Sequence, residues 1–289
     1  MPPVTLVSDS THSMPAALRT ELGLHEVSLY VNHGTRTERE AEMDLQVFYD
    51  RLRTGDKLPT TSQPSIGDFL AVYEPLLEAG QDVVSVHISG QISGTVETAR
   101  QAAEDATSRF PDRRIEVVDS RTVAGGLAMV LLASASSIAA GEDLDTIVAR
   151  TEAAAGPDGN QIWFAVDTLE FLRKGGRIGT ASAWIGGALK IKPILTVDGE
   201  VKPVERVRTS GRAFQRLVTA MDELTTLGKT AWCIQHIQAH AEAERLAVVG
   251  REHFGSEPLM ISEIGAVVGT YAGPGLLGVG GLPPALVGR

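Results

Sequence analysis

Short β-branched runs alternate with amphipathic stretches along the first half of this chain. Val4–Val7, Val27–Val31, Val83–Ile88 and Ile115–Val118 are nearly unbroken apolar runs, the pattern of strands buried on both faces. Between and after them, Pro15–Leu22, Leu45–Leu52, Phe69–Ala79, Val96–Phe110 and Gly126–Ala140 repeat apolar residues at helical spacing. Strands separated by helical patterns predict βαβ units and a mostly parallel sheet flanked by helices. Leu144–Ala155 reads as one more helix, and the turn-rich stretch 154–160 (AAGPDGN) marks a candidate boundary.

The rhythm then changes. Ile162–Val166 is a strand followed by a short helix near Leu169–Lys174. Pro193–Thr196 and Val201–Val207 flank an Asp198-Gly199 pair, a hairpin signal that predicts antiparallel pairing. A helix (Gly211–Leu227), a strand (Thr230–Ile237), a helix (Ala241–Phe254) and a strand near Leu259–Glu263 follow. No internal repeat is present, and the Gly-rich tail is the nearest approach to low complexity. The expectation is an α/β protein of two α/β domains. Residues 1–157 carry a mostly parallel sheet flanked by helices, and residues 158–289 a mixed sheet with helices. A ligand is expected between them, beyond the carboxyl ends of the strands.

Composition narrows the function. Hydrophobic residues make up 43% of the 289 and charged residues 21%, enough for a real core, while aromatics at 5% leave packing to Ala, Val, Leu and Ile. The net charge of −10 opposes nucleic-acid binding, which rests on neutralising phosphates. It also disfavours stable attachment to anionic membranes, leaving room for transient contact. Cys233 is the single cysteine, so an internal disulfide and a thiolate metal cluster are excluded. MPPVTLVSDSTHS has no basic stretch ahead of an apolar segment, and no run reaches the ~18–20 apolar residues of a membrane span. A soluble, cytoplasmic protein is expected.

Four constellations carry candidate chemistry. In Thr60-Thr61-Ser62-Gln63-Pro64-Ser65, Ser65 and Asp68 have capping-box spacing, which leaves Thr61, Ser62 and Gln63 on a loop entering a helix N-terminus, a setting suited to an anion. In Ser89-Gly90-Gln91-Ile92-Ser93-Gly94-Thr95, a small polar loop follows a strand and precedes a helix, and Gly94 lets a ligand approach the backbone. Asp167-Thr168-Leu169-Glu170-Phe171-Leu172 leads into Arg173, Lys174 and Arg177, a basic cluster in an acidic protein. Gly269-Thr270-Tyr271-Ala272-Gly273-Pro274-Gly275 reads as a tight loop that points the Tyr271 hydroxyl into a site or packs it. Ordinary helix caps, turns and a solvated helix end satisfy the same spacings. Asp9-Ser10-Thr11 and Asp119-Ser120, each after a strand, are ligand contacts or Asx turns. His236 and His240 are four apart but lack a zinc-protease Glu, so no metal is expected. An enzyme reading would make Ser93 a nucleophile for acyl or phosphoryl transfer, with His87 as base and no evident orienting acid.

In their order along one chain, these motifs resemble the DegV family, also known as fatty-acid-binding B proteins. The resemblance runs from Asp9-Ser10-Thr11 through the Thr-Ser-Gln and Ser-Gly-Thr motifs, Val118-Asp119-Ser120, the stretch 167–178, Lys192-Pro193-Ile194-Leu195 and Arg208-Thr209 to Gly273-Pro274-Gly275. It implies a fatty acid enclosed between two domains, its carboxylate met by Thr61, Ser62 and Ser93 with Gly94 and Thr95, and by the 273–275 loop. It also implies no cofactor beyond that ligand, and a binding subunit that hands the acid to an ATP-dependent fatty acid kinase for conversion to acyl phosphate, the alternative being a lipid carrier not coupled to a kinase. The basic cluster would then face the kinase or the phosphate. Family members carry a His where this sequence has Tyr271, which donates one hydrogen bond and no positive charge.

Overall fold

The computed structural model describes residues 2–55, 57–184 and 191–288. Through the first half the chain forms β1 (Val4–Asp9), α1 (Ala16–Glu21), β2 (His25–Val27), β3 (Tyr30–His33), β4 (Arg36–Arg39), α2 (Leu45–Thr54), β5 (Thr60–Ser62), α3 (Ile66–Glu78), β6 (Asp82–His87), α4 (Thr95–Arg109), β7 (Ile115–Asp119), α5 (Gly125–Ala139) and α6 (Leu144–Ala155). A turn over 156–160 leads to β8 (Gln161–Ala165), α7 (Glu170–Lys174), β9 (Lys192–Asp198), β10 (Glu200–Val207), α8 (Ser210–Thr226), β11 (Ala231–His236), α9 (His240–Phe254), β12 (Ile261–Glu263), α10 (Ala266–Ala272) and β13 (Leu277–Leu282).

The architecture is mixed α/β. A parallel sheet runs β2-β1-β6-β7, a small antiparallel sheet β4-β3-β5, and a mixed sheet β10-β9-β8-β13-β11-β12. Every residue of β6 is buried, the polar Asp82, Ser85 and His87 included. On one face of the parallel sheet, Val7, Val27 and Val83 pack with Phe69 and Tyr73 of α3 and the alanines of α4. On one face of the mixed sheet, Trp163, Ile194, Trp232 and Val279 pack with α8 and α9. Helix α5 is buried around most of its circumference, which fits its lack of an amphipathic stripe. It packs on β1 and β6 on one side and on β8, β11 and β13 on the other, so one apolar core joins the sheets.

The Asp198-Gly199 hairpin forms as anticipated, with Gly199 at φ +74°. Its tip docks on the parallel sheet's carboxyl edge, where the Gly199 carbonyl accepts from the Ser89 hydroxyl and its N–H donates to the Arg121 carbonyl. Four expectations need correction. Val27–Val31 is not one strand: the chain breaks at Ser28–Leu29 and feeds two different sheets. Thr61 and Ser62 lie not on a loop but in β5, opposite Val31 and Tyr30 of β3. Gly269–Ala272 is not loop but the end of α10, and only Gly273, at φ +75°, turns the chain out of the helix. The Gly-rich tail holds a strand, β13, paired on both edges in the middle of the mixed sheet. Among the described residues no helix is long and apolar enough to cross a membrane.

Candidate functional site

Along β13, Leu277 and Val279 point to the α8 and α9 side, which leaves Gly278 and Gly280 on the opposite face. A cavity opens over that bare strip. Its wall is almost wholly apolar. Ile162 and Phe164 of β8, Val197 and Val201 of the hairpin, and Val267 and Val268 of α10 form much of it. From the first half come Leu29, Ile88, and Val123 to Gly125 at the start of α5. A Cβ on Gly280 would fall 2.6 Å from Ile162 Cγ2 and 2.9 Å from Met129 Cε, so this strand position tolerates only glycine without repacking. Cys233 also faces the cavity, and burial pushes its thiol up to about 12, which keeps it protonated and unreactive.

Polar groups gather at one stretch of the wall: Thr61, Ser93, Arg177 and Tyr271 all line it. Thr61 and Tyr271, 210 residues apart, share a hydroxyl–hydroxyl hydrogen bond of 2.6 Å. The Arg177 guanidinium lies 5.0 Å from the centre of the Tyr271 ring, a cation–π contact, and donates to the Gly175 carbonyl at 3.0 Å. Ser93 shares a 2.8 Å hydrogen bond with the Thr95 hydroxyl at the start of α4. Strand alternation sends Thr61 inward and Ser62 outward, where Ser62 joins Tyr30 and Asn32 in a separate surface groove. Gly94, which is exposed, and Thr95, which is buried, do not line the cavity; a Cβ on Gly94 would displace only the exposed Gln63 side-chain amide, 2.4 Å away.

The two remaining motifs pack on each other. Added Cβ atoms on Gly175, Gly273 and Gly275 would meet the Tyr271 ring at 2.1 Å, the Phe171 ring at 2.4 Å and the Asp167 carboxyl carbon at 2.8 Å respectively. The glycines around Pro274 therefore serve close packing of α10 and its exit against α7, which holds Tyr271 beside Arg177. Arg173 and Lys174 are exposed on α7 outside the cavity wall, and Lys174 pairs with Glu170 at 2.7 Å.

His87 does not serve Ser93. It is fully buried, with Nδ1 3.1 Å from Asp9 Oδ2 and Nε2 2.7 Å from the Ser85 hydroxyl, which in turn meets Tyr73. Asp9 also accepts from the Thr11 and Ile88 N–H groups. Burial pushes the Asp9 carboxyl up, but the hydrogen bond and charge of His87, with Thr11 and Ile88, outweigh it and leave the carboxyl below its usual value. This orienting acid lies 78 residues from His87, out of reach of local motif reading. Asp119 forms the Asx turn, accepting from the Arg121 N–H at 2.8 Å. The His236 and His240 rings lie 5.7 Å apart. Among the described residues no group of three or more His, Cys, Asp or Glu side chains is arranged to hold a metal ion.

Comparison with known proteins agrees with this architecture. The sequence pattern of the family described as "Uncharacterised protein, DegV family" matches residues 3–283. A DegV domain-containing protein of Clostridium perfringens is 35% identical over 280 residues, 96% of this chain and 97% of that one. A DegV family protein from Thermus thermophilus, solved as a fatty-acid-binding protein, superposes with a TM-score of 0.85 at 33% identity, covering 97% of this chain and 99% of that one. DegV of Bacillus subtilis, described as a fatty acid binding protein, superposes at 0.84 with 31% identity over 98% of this chain and all of its own. With the family pattern running nearly end to end and the fold shared throughout, this chain belongs to the DegV family.

Proposed function

We propose that this protein binds one long-chain fatty acid, its tail in the apolar cavity and its carboxylate at Thr61, Ser93 and Tyr271, and presents it to an ATP-dependent fatty acid kinase for conversion to acyl phosphate. The observation that carries this reading is the cavity itself, an apolar space with Thr61, Ser93, Arg177 and Tyr271 on its wall. Such a ligand has about 14 methylenes to bury at ~0.8 kcal/mol each, an upper bound near ~11 kcal/mol before the costs of association. Chain burial therefore sets affinity and the polar end sets orientation. A dehydrated carboxylate needs several donors, and the Thr61, Ser93 and Tyr271 hydroxyls supply them. Arg177 adds the positive charge that Tyr271 lacks in place of the family's His. Ser62 faces away and takes no part.

The bound acid lies between two α/β domains, 1–157 and 158–289. In support, all strands of the mixed sheet follow residue 160 and all strands of the other two precede residue 120. Arg177 at the mouth, with Arg173 and Lys174 nearby on α7, forms the face offered to the kinase and the new phosphate. The protein acts as a binding subunit in the cytoplasm and needs no cofactor. Native mass spectrometry of protein purified from bacteria tests the reading: one C14–C18 acid per chain is expected, and no such adduct from freshly purified, undelipidated protein overturns it. Charge reversal at Arg173 and Lys174, which lie outside the cavity wall, should leave that adduct in place and abolish phosphorylation by the kinase; unchanged phosphorylation refutes the docking face.

A further inference from the structure

The cavity carries one polar group away from the Thr61–Tyr271 end. Gln235 of β11 is 5% exposed, faces the cavity beside Gly125 and Gly278, and its Oε1 has no hydrogen-bond partner among the described residues. The orientation of the amide is set by its other end. Nε2 donates to Ser262 Oγ at 2.9 Å and to the His12 and Ser13 carbonyls at 3.3 and 3.5 Å. Reversing the amide would turn its oxygen against two carbonyl oxygens, so the acceptor belongs on the cavity side. Gly125 lies against that side without crowding it, since a Cβ there would come 3.2 Å from Oε1 and 3.3 Å from Cys233 Sγ.

The same contacts locate Gln235 along the cavity. Ser13, whose carbonyl it meets, accepts through its hydroxyl from the Gly265 N–H at the start of α10. Tyr271 lies six residues further on near the end of that helix. At 1.5 Å rise per residue the Gly265 and Tyr271 backbones are roughly 9 Å apart along the helix axis, which places Gln235 near one end of α10 and Tyr271 near the other. A purely hydrocarbon tail leaves this buried amide oxygen unpaired, which is unfavourable, whereas a donor on the tail satisfies it.

We infer that Gln235 is a second recognition point, an acceptor that selects acyl chains carrying a mid-chain hydroxyl. The inference rests on the fatty-acid reading above and specifies the class of acid the cavity accommodates best. A site that accepts a hydrogen bond from a ligand hydroxyl discriminates strongly, because both hydroxyl and acceptor are left unpaired when either partner is missing.

The test is a set of dissociation constants for the full chain, freed of endogenous lipid, with stearic acid and with hydroxystearic acids bearing the hydroxyl at successive mid-chain carbons. The wild-type protein should show one preferred position, bound as tightly as stearic acid or tighter, with positions a few carbons away weaker by about tenfold. In Gln235→Met the preferred hydroxyl should become a liability, weakening binding about tenfold relative to stearic acid. A flat dependence on position in the wild type, or the same profile in the variant, overturns the inference while leaving fatty-acid binding intact. Should Gln235→Met fail to fold, the wild-type profile decides alone. Failure of stearic acid itself to bind would instead sink the fatty-acid reading, and this inference with it.

Discussion

The Asp9–His87 network and the Thr61–Tyr271 cluster are both polar centres in apolar surroundings, and they differ in how fully the protein satisfies them. Asp9 accepts from two backbone N–H groups, a hydroxyl and an imidazole, while His87 uses both ring nitrogens on protein partners. Both side chains are fully buried. Thr61 and Tyr271 share one hydrogen bond, are only half-buried, and sit with Ser93 and Arg177 at the wall of a cavity. A group whose hydrogen-bonding capacity is met inside the fold serves the fold; one left with spare capacity at a cavity wall is available to a ligand. That difference separates the buried Asp-His-Ser sequence, which resembles a hydrolase triad in composition, from the proposed binding site.

Breaking the satisfied centre should cost most. Asp9→Ala leaves the His87 ring and two backbone donors buried without an acceptor, and a loss of roughly 3–5 kcal/mol in urea unfolding is expected. An unchanged unfolding midpoint would mean that the network is not structural. Glu40 offers a second test at the seam between the halves. It is buried, accepts from the Ser10 hydroxyl and from the Val267 N–H in the first turn of α10, and burial raises its carboxyl to about 7, with Glu26 and Asp9 adding repulsion. Because its folded value lies above the ordinary 4.5, its ionisation opposes folding. The associated stability is full below about pH 4.5 and is lost as pH rises to 7, by roughly 3 kcal/mol. Glu40→Gln should therefore gain on the wild type between pH 5 and pH 8; a constant difference in denaturant midpoints across that range contradicts the assignment.

Smaller effects fall on the open centre. Thr61→Val and Tyr271→Phe should each weaken fatty-acid binding about tenfold, near ~1.4 kcal/mol, with under ~1 kcal/mol of change in stability. Ser62→Ala, one residue along β5 but on its outer face, should change affinity less than about twofold by the same titration. Equal losses for Thr61 and Ser62 would show that the strand's alternation does not govern the site.

Much of the fold is legible in the chain because local chemistry and tertiary need agree. The valine-rich stretches of β1 and β6, the helical spacing of α4 and the Asp198-Gly199 turn each favour one conformation. Where they disagree, reading fails. Thr60–Ser62 has loop chemistry but forms a short strand because β3 offers it an edge. Leu277–Leu282 carries three glycines yet lies mid-sheet, because β8 and β11 pair both its edges and a cavity needs its bare face. Thr61, Ser93 and Tyr271 were separately visible as polar residues near glycines, but their convergence depends on contacts spanning most of the chain. Gln235 carried no local signal: within an apolar strand it reads as one tolerated polar residue, and only its position beside Gly125 gives it meaning.

In the proposed complex a carboxylate meets the Thr61–Tyr271 hydroxyl pair while its tail lies over the glycine face of β13. A crystal structure with stearic acid tests this most directly. It should place a carboxylate oxygen roughly 2.6–3.2 Å from the Thr61 or Tyr271 hydroxyl, with the chain running past Gly278 and Gly280 toward Gln235. A carboxylate at the Gln235 end, or a chain bound outside the cavity, would contradict it.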